Sequence, residues 1–303
     1  MKKQTMADLS LILVTFFWGA SYYLVDLAMK EMGPLTLNAY RFLIAFIVAG
    51  VIAFKYLKDV NKTTLKYSAL VGSALFLVYV CVNLGVQRTT LSNAGFLCAL
   101  TVIITPLLEI IFLKRKLTAK IEISVAMSLL GIVLLTLKEN FSINYANLLG
   151  DILCMGCGFF YAIDLLLTER AVSSEKVNPF QLGVFQLLFA GLLNLIAAFA
   201  FEKPGLPVDN KVTISVLFLA IFCTGAAFII QAVAQKYTKA NRVGIIFTLE
   251  PVFSAVVAYL LAGEVLGAQG YVGAALMVAA LLFMESNFKF LESKKSKAKK
   301  TKI

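Results

Sequence analysis

The chain has 303 residues, a hydrophobic fraction of 60%, a mean hydropathy of +0.86 and a formal net charge of +11, with no histidine. Soluble domains are about 45–50% apolar, so an ordinary water-soluble fold is excluded, and the missing imidazoles exclude His-ligated metal sites and His proton relays. In so apolar a chain the positive charge reports where loops lie; it does not imply nucleic-acid binding.

A bilayer core needs about 20 apolar residues in helical form. Runs of that kind occur at 9–27, 35–54, 67–87, 93–113, 121–137, 149–168, 180–201, 213–235, 243–262 and 269–287, predicting an all-α polytopic membrane protein with ten transmembrane helices. The first run follows Lys2 and Lys3, but Gln4-Thr5-Met6-Ala7-Asp8 separates them from it and no small-residue cleavage site follows. It is therefore expected to be a retained span rather than a signal peptide. Its middle carries Trp18 and Tyr22, spaced i, i+4, which fit a site for an apolar or aromatic group or equally a helix interface. The second run opens at Gly33-Pro34, with Arg41 seven residues past the proline, about 10 Å into the helix. Arg41 is expected to snorkel back to the interface or to form an ion pair, with substrate binding as the less favoured alternative. Pro106 lies in the fourth run, with Glu109 close to the basic stretch Lys114-Arg115-Lys116 and expected to pair with Lys114.

In the sixth run Tyr161, Asp164 and Thr168 fall at i, i+3 and i+7, one helix face. A carboxylate inside a membrane costs ~2.5–3.5 kcal/mol on insertion scales, so Asp164 needs a reason. Gln231 in the eighth run is a mid-span amide, suited to a cavity wall or to joining helices. Glu250 in the ninth run stands directly before Pro251, which removes a backbone N–H and frees a carbonyl. It reads as a cavity carboxylate for a cation or a proton, or as a residue that fixes a bend. The five cysteines, including Cys154 and Cys157, sit in apolar runs and read as small packing residues. No cofactor, no metal site and no paired nucleophile and base emerge, so an enzyme is not expected.

Lysine and arginine sort by side. The N-terminus, every second connection and the tail hold 22 of the 28, whereas the opposite connections hold five. Cytoplasmic segments carry the excess, which predicts cytoplasmic termini in the cell membrane. The tail, 288–303, is a basic low-complexity end suited to anionic lipid.

The chain also repeats itself. Pro34-Leu-Thr-Leu-Asn-Ala-Tyr-Arg41 matches Pro179-Phe-Gln-Leu-Gly-Val-Phe-Gln186 at an offset of 145, and Pro106 and Pro251 share that offset. Asp8 to Trp18 spans the same distance as Asp151 to Tyr161, and Gly131 resembles Gly273. This predicts two five-helix units, 8–137 and 149–287. An odd number of spans makes the second copy enter from the opposite face, so the units are inverted. Prolines at matched positions, Pro106 and Pro251, predict kinked helices that point toward a midplane site.

Trp18-Gly19-Ala20, the two proline-led entries, Leu249-Glu250-Pro251-Val252-Phe253 and Gly263-Glu264-Val265-Leu266, in that order, resemble the drug/metabolite transporter superfamily, EamA type. One departure is Lys114-Arg115-Lys116, where many relatives have a Gly-Glu. The resemblance implies two EamA-like repeats and a secondary transporter for small metabolites, often an exporter of amino acids or similar compounds. Alternating access and a substrate site at Trp18, Tyr22, Asp164, Gln231 and Glu250 follow as expectations. The expected partners are a small-molecule metabolite and the lipid bilayer, not nucleic acid, with a homodimer left open. A membrane lipid-handling or scaffold protein with no small-molecule site stands as the alternative.

Overall fold

The computed structural model describes residues 2–89, 97–136, 148–262 and 267–285. These form helices α1 (Lys2–Ala28), α2 (Pro34–Ile52), α3 (Lys62–Val86), α4 (Thr101–Leu113), α5 (Ala119–Thr136), α6 (Leu148–Val172) and α7 (Pro179–Phe201). Helix α8 (Asn210–Gln235) contains a π-helical segment, Leu219–Ala226; α9 comes in two pieces, Ala240–Phe247 and Glu250–Ala262; and α10 is Ala268–Glu285. Among the described residues, seven helices are long and apolar enough to cross a membrane, and Leu97–Leu113 and Ala268–Met284 are shorter apolar helices. The chain is an all-helical, polytopic membrane protein.

Helix bounds overrun the apolar runs at several polar ends. Helix α1 begins at Lys2, through the stretch expected to precede it, and α3 begins at Lys62, capped by the Asn61 side chain on Thr64 N. A helix need not stop where its hydrophobicity stops when a cap satisfies its first N–H groups. The basic tail and the motif Gly263–Leu266 lie outside the described residues.

The two proline-led entries both start helices, with Pro34 and Pro179 in the first turn, where the missing N–H costs nothing. Their caps differ. Asn178 caps its own α7, accepting from Phe180 N and Gln181 N. The N-terminus of α2 is capped by Glu202, from the far end of α7, which accepts from Leu35 N at 2.9 Å and Thr36 N at 2.8 Å. At the other end Gln181 Nε2 donates to Tyr56 O, just past α2. Thus α2 and α7 lie antiparallel.

Most helix pairings come in matched twos under the exchange of each helix with the one five places on, the exceptions being α6·α8, α6·α9 and α5·α9. Contact α1·α8 is matched by α6·α3, α1·α9 by α6·α4, and α2·α8 by α7·α3. The pairs α2·α7, α4·α9 and α5·α10 map on to themselves. The matched glycines of the repeat meet in the last of these: a Cβ on Gly131 would lie 2.8 Å from Gly273 O and 2.5 Å from Met277 Cγ. Gly19 likewise brings α1 against α9, where a Cβ would stand 2.7 Å from Ser254 N. Small residues let backbones approach in lipid, where dispersion rather than water exclusion drives association.

Candidate functional site

Aromatic rings from both halves converge at the centre of the helix bundle. Trp18 on α1 lies 6.0 Å from its repeat counterpart Tyr161 on α6, 5.4 Å from Phe228 on α8 and 4.8 Å from Phe247 on α9. Tyr161 stacks on Phe247 at 5.9 Å and 11°. Phe228 extends the layer to Phe42 on α2 and Tyr79 on α3. Trp18 is buried, and its Nε1 donates to Cys223 O at 2.9 Å.

Beside the rings lies a polar cluster. Asp164 is 1% exposed, and its Oδ2 accepts from Gln231 Nε2 at 3.1 Å. Gln231 also reaches Gln235 Oε1, while Gln235 donates to Leu165 O. The single α6 face anticipated for Tyr161, Asp164 and Thr168 is distinctive here. Tyr161 Oη, Asp164 Oδ1, Thr168 Oγ1 and Gln231 Oε1 are all buried and bonded to no protein group. An unmet buried polar atom costs about 1–3 kcal/mol, and four together suit a place where polar ligand or water is bound.

Glu250 is half-buried and opens the second piece of α9, just after the interruption at Thr248–Leu249. Thr248 turns its hydroxyl back on Ile245 O. A carboxylate in the first turn of a helix is favoured by the aligned N–H groups there. Glu250 lies within electrostatic range of Tyr79 and Tyr161. Pro251 is the second residue after that interruption, whereas α4 runs through Pro106 without a break. The Tyr22 side chain lies outside the described residues. Of the five side chains named from sequence, Trp18, Asp164 and Gln231 therefore meet around one core, and Glu250 stands near its Tyr161 side.

Arg41 is where sequence reasoning missed. It neither snorkels nor forms an ion pair among the described residues. It is 3% exposed, its Nε donates to Thr224 Oγ1 at 2.8 Å, and its guanidinium sits 5.0 Å from the Tyr79 ring centre. The depth of seven residues past the helix start was the available signal. Phe228, Phe247 and Tyr79 gave none, being ordinary members of apolar runs.

At one end of the bundle the helices are tied by charge. Asp8 on α1 pairs with Arg242 on α9 at 2.9 Å, and Arg115 bridges Glu169 at 2.7 Å and Glu109 at 3.4 Å. Glu169 also accepts from Ala240 N, and Glu109 from Asn241 Nδ2. The partner of Glu109 is thus Arg115 rather than Lys114, whose backbone caps α4 in a left-handed conformation. An open polar cleft of about 540 Å³ at helix ends, lined by residues such as Lys55, Asp59 and Glu175, lies apart from the aromatic core. A lateral apolar groove of about 370 Å³ runs between α1, α8 and α9, past Tyr23, Phe218 and Leu260.

Comparison with known proteins follows the same two-part division. The EamA-like transporter family matches residues 5–137 and again 148–286. An uncharacterized transporter of Archaeoglobus fulgidus is 28% identical over 93% of this chain and 86% of its own length. An uncharacterized transporter of Bacillus subtilis, YetK, is 24% identical over 92% and 87%. A protein of Escherichia coli named as a probable amino-acid metabolite efflux pump is 21% identical over 89% and 91%. A solved crystal structure superposes with a TM-score of 0.79 over 92% of this chain and 96% of that one, at 16% identity, a likeness of fold.

Proposed function

This chain belongs to the EamA-like transporter family, and we propose that it is a secondary transporter carrying a small metabolite across the cell membrane by alternating access. In this reading ten spans form two inverted five-helix repeats, 8–137 and 149–287, with both termini cytoplasmic and the tail 288–303 on the same side. The observation that carries it is the exchange of helix pairings between halves, with the equivalent helices α2 and α7 antiparallel. Inverted halves supply two related conformations, one open to each side.

The substrate site is the aromatic and polar core around Trp18, Asp164 and Gln231, with Tyr22 and Glu250 completing it, and the break before Pro251 is the hinge of α9. The ion pairs joining α1, α4, α6 and α9 act as a seal at the basic end. Amino acids or similar compounds, moved outward, are the substrates we favour, since one relative bears the name of an amino-acid metabolite efflux pump. Asp164 or Glu250 carries a proton if transport is proton-coupled.

Efflux from loaded proteoliposomes, with and without an imposed pH gradient, tests the proposal. Wild-type vesicles are expected to release at least one amino-acid-like metabolite faster than empty ones. The absence of release for a broad metabolite mixture overturns transport and leaves a lipid-handling or scaffold role; equal rates with and without the gradient overturn proton coupling alone.

A further inference from the structure

We infer that Arg41 anchors a carboxylate of the transported molecule, so that the substrates are small organic monocarboxylates. The inference rests on the transport reading above.

Arg41 lies in the middle of α2 and is 3% exposed. A guanidinium stays charged in a protein and carries five N–H donors. One of them is used, on Thr224 Oγ1, and the ring faces of Tyr79 and Phe42 lie at 5.0 and 6.0 Å. Among the described residues no carboxylate pairs with it. The ion pairs Asp8–Arg242 and Arg115 with Glu109 and Glu169 are at the basic end of the bundle. Arg41 and Glu250 both lie within electrostatic range of Tyr79. A buried cation is costly unless an anion with good geometry meets it, and a hydroxyl and two ring faces offset only part of that cost.

The second half shows that the fold does not need this charge. Its counterpart is Gln186, 2% exposed, whose Nε2 donates to Phe228 O at 3.3 Å. The structural demand at this place is a neutral donor, and the first half departs from it by a full positive charge. The partner of Arg41 is also unusual backbone. Thr224, with Cys223 that accepts from Trp18, belongs to the π-helical segment of α8. Such segments are rare and concentrate at functional sites. Arg41 and Trp18 thus bind adjacent residues of one irregular stretch.

The neighbouring chemistry selects the class. The fork of a guanidinium matches a carboxylate with two parallel bonds, and the rings of Phe42, Tyr79, Phe228 and Trp18 suit a compact organic body. A phosphate dianion would leave one of its charges unmatched by a single arginine.

Trp18 is the chain's one tryptophan, so its emission reports this core alone. The full chain in nanodiscs is titrated with L-leucine and 4-methylpentanoate, with their amides, with isoamylamine and with glycerol 3-phosphate. Both carboxylates are expected to shift the emission saturably, and the amides, amine and phosphate ester are not. R41Q, which copies Gln186, should weaken the carboxylate response at least tenfold, R41K should restore part of it, and size-exclusion profiles should match wild type. A response to amides or to the phosphate ester equal to that of carboxylates overturns the inference. So does an unchanged response in R41Q, or none in wild type to any carboxylate. The same probes in proteoliposome flux separate the two readings. Carboxylates bound through Arg41 but not moved uphold this site and sink transport, whereas flux of amides insensitive to R41Q upholds transport and sinks this site.

Discussion

Trp18 ties α1 to α8 through one hydrogen bond and to three other rings through packing, and the two parts can be separated. Trp18→Phe keeps a ring and drops the bond to Cys223 O, and should cost about 1 kcal/mol. Trp18→Ala empties the junction and should cost about 3–5 kcal/mol; thermal unfolding in detergent measures both. Asp164 makes a different prediction, because its carboxylate has one oxygen bonded to Gln231 and one bonded to no protein group. Asp164→Asn should leave the helices folded and lower flux at least tenfold, and flux equal to wild type would remove Asp164 from the site. Trp18, Asp164 and Gln231 were legible in the sequence because aromatic bulk, charge and amide are conspicuous at mid-span. Arg41 was conspicuous too, yet its environment was not legible: whether a long cation reaches the interface or stays inside depends on Thr224, 183 residues away.

Helices end where their backbone groups find partners, and this explains both agreement and mismatch with the apolar runs. The run expected at 35–54 stops as helix at Ile52, and a short helical turn, Phe54–Leu57, follows. The break in α9 was foreshadowed by Glu250-Pro251, whereas the π segment of α8 left no mark in a uniformly apolar stretch. Packing selects it, since it positions Cys223 and Thr224 for partners on α1 and α2. At the end of α4, Lys114 has φ 51°, the only positive value among described non-glycine residues. That conformation costs an L-residue about 1–2 kcal/mol and glycine almost nothing. Lys114→Gly should therefore raise stability by about 1 kcal/mol, seen as a higher melting temperature with unchanged flux.

Across the whole molecule the two ends are unequal. At the basic end Asp8–Arg242 and Arg115 with Glu109 and Glu169 tie helices together beside the open polar cleft at Lys55, Asp59 and Glu175, while the apolar groove past Tyr23 and Leu260 opens farther along α1 and α9. Under the alternating access proposed above, these ties must break in each transport cycle. The double variant Arg115→Gln with Glu169→Gln should shift the population toward the conformation open at that end. Thiol labelling of Thr105→Cys, a buried position on α4, should then rise several-fold from the basic side above the native cysteines. Unchanged labelling would mean that these pairs stabilise the fold without gating it. The large-scale plan, a polytopic helical chain in two parts, was visible in the apolar runs and the 145-residue offset, because both follow from chain chemistry alone. The ties between halves were not, since they join residues whose proximity only the finished packing creates.

The cap on α2 imposes an order on synthesis. Its first N–H groups are satisfied by Glu202, a residue 166 positions beyond Thr36. When the ribosome has delivered the first half to the membrane, that helix still lacks its cap, and it stays so until the end of α7 emerges. The first five helices are therefore an unfinished assembly that the second half completes, and a chain truncated at residue 137 should be cleared by membrane proteases faster than the whole.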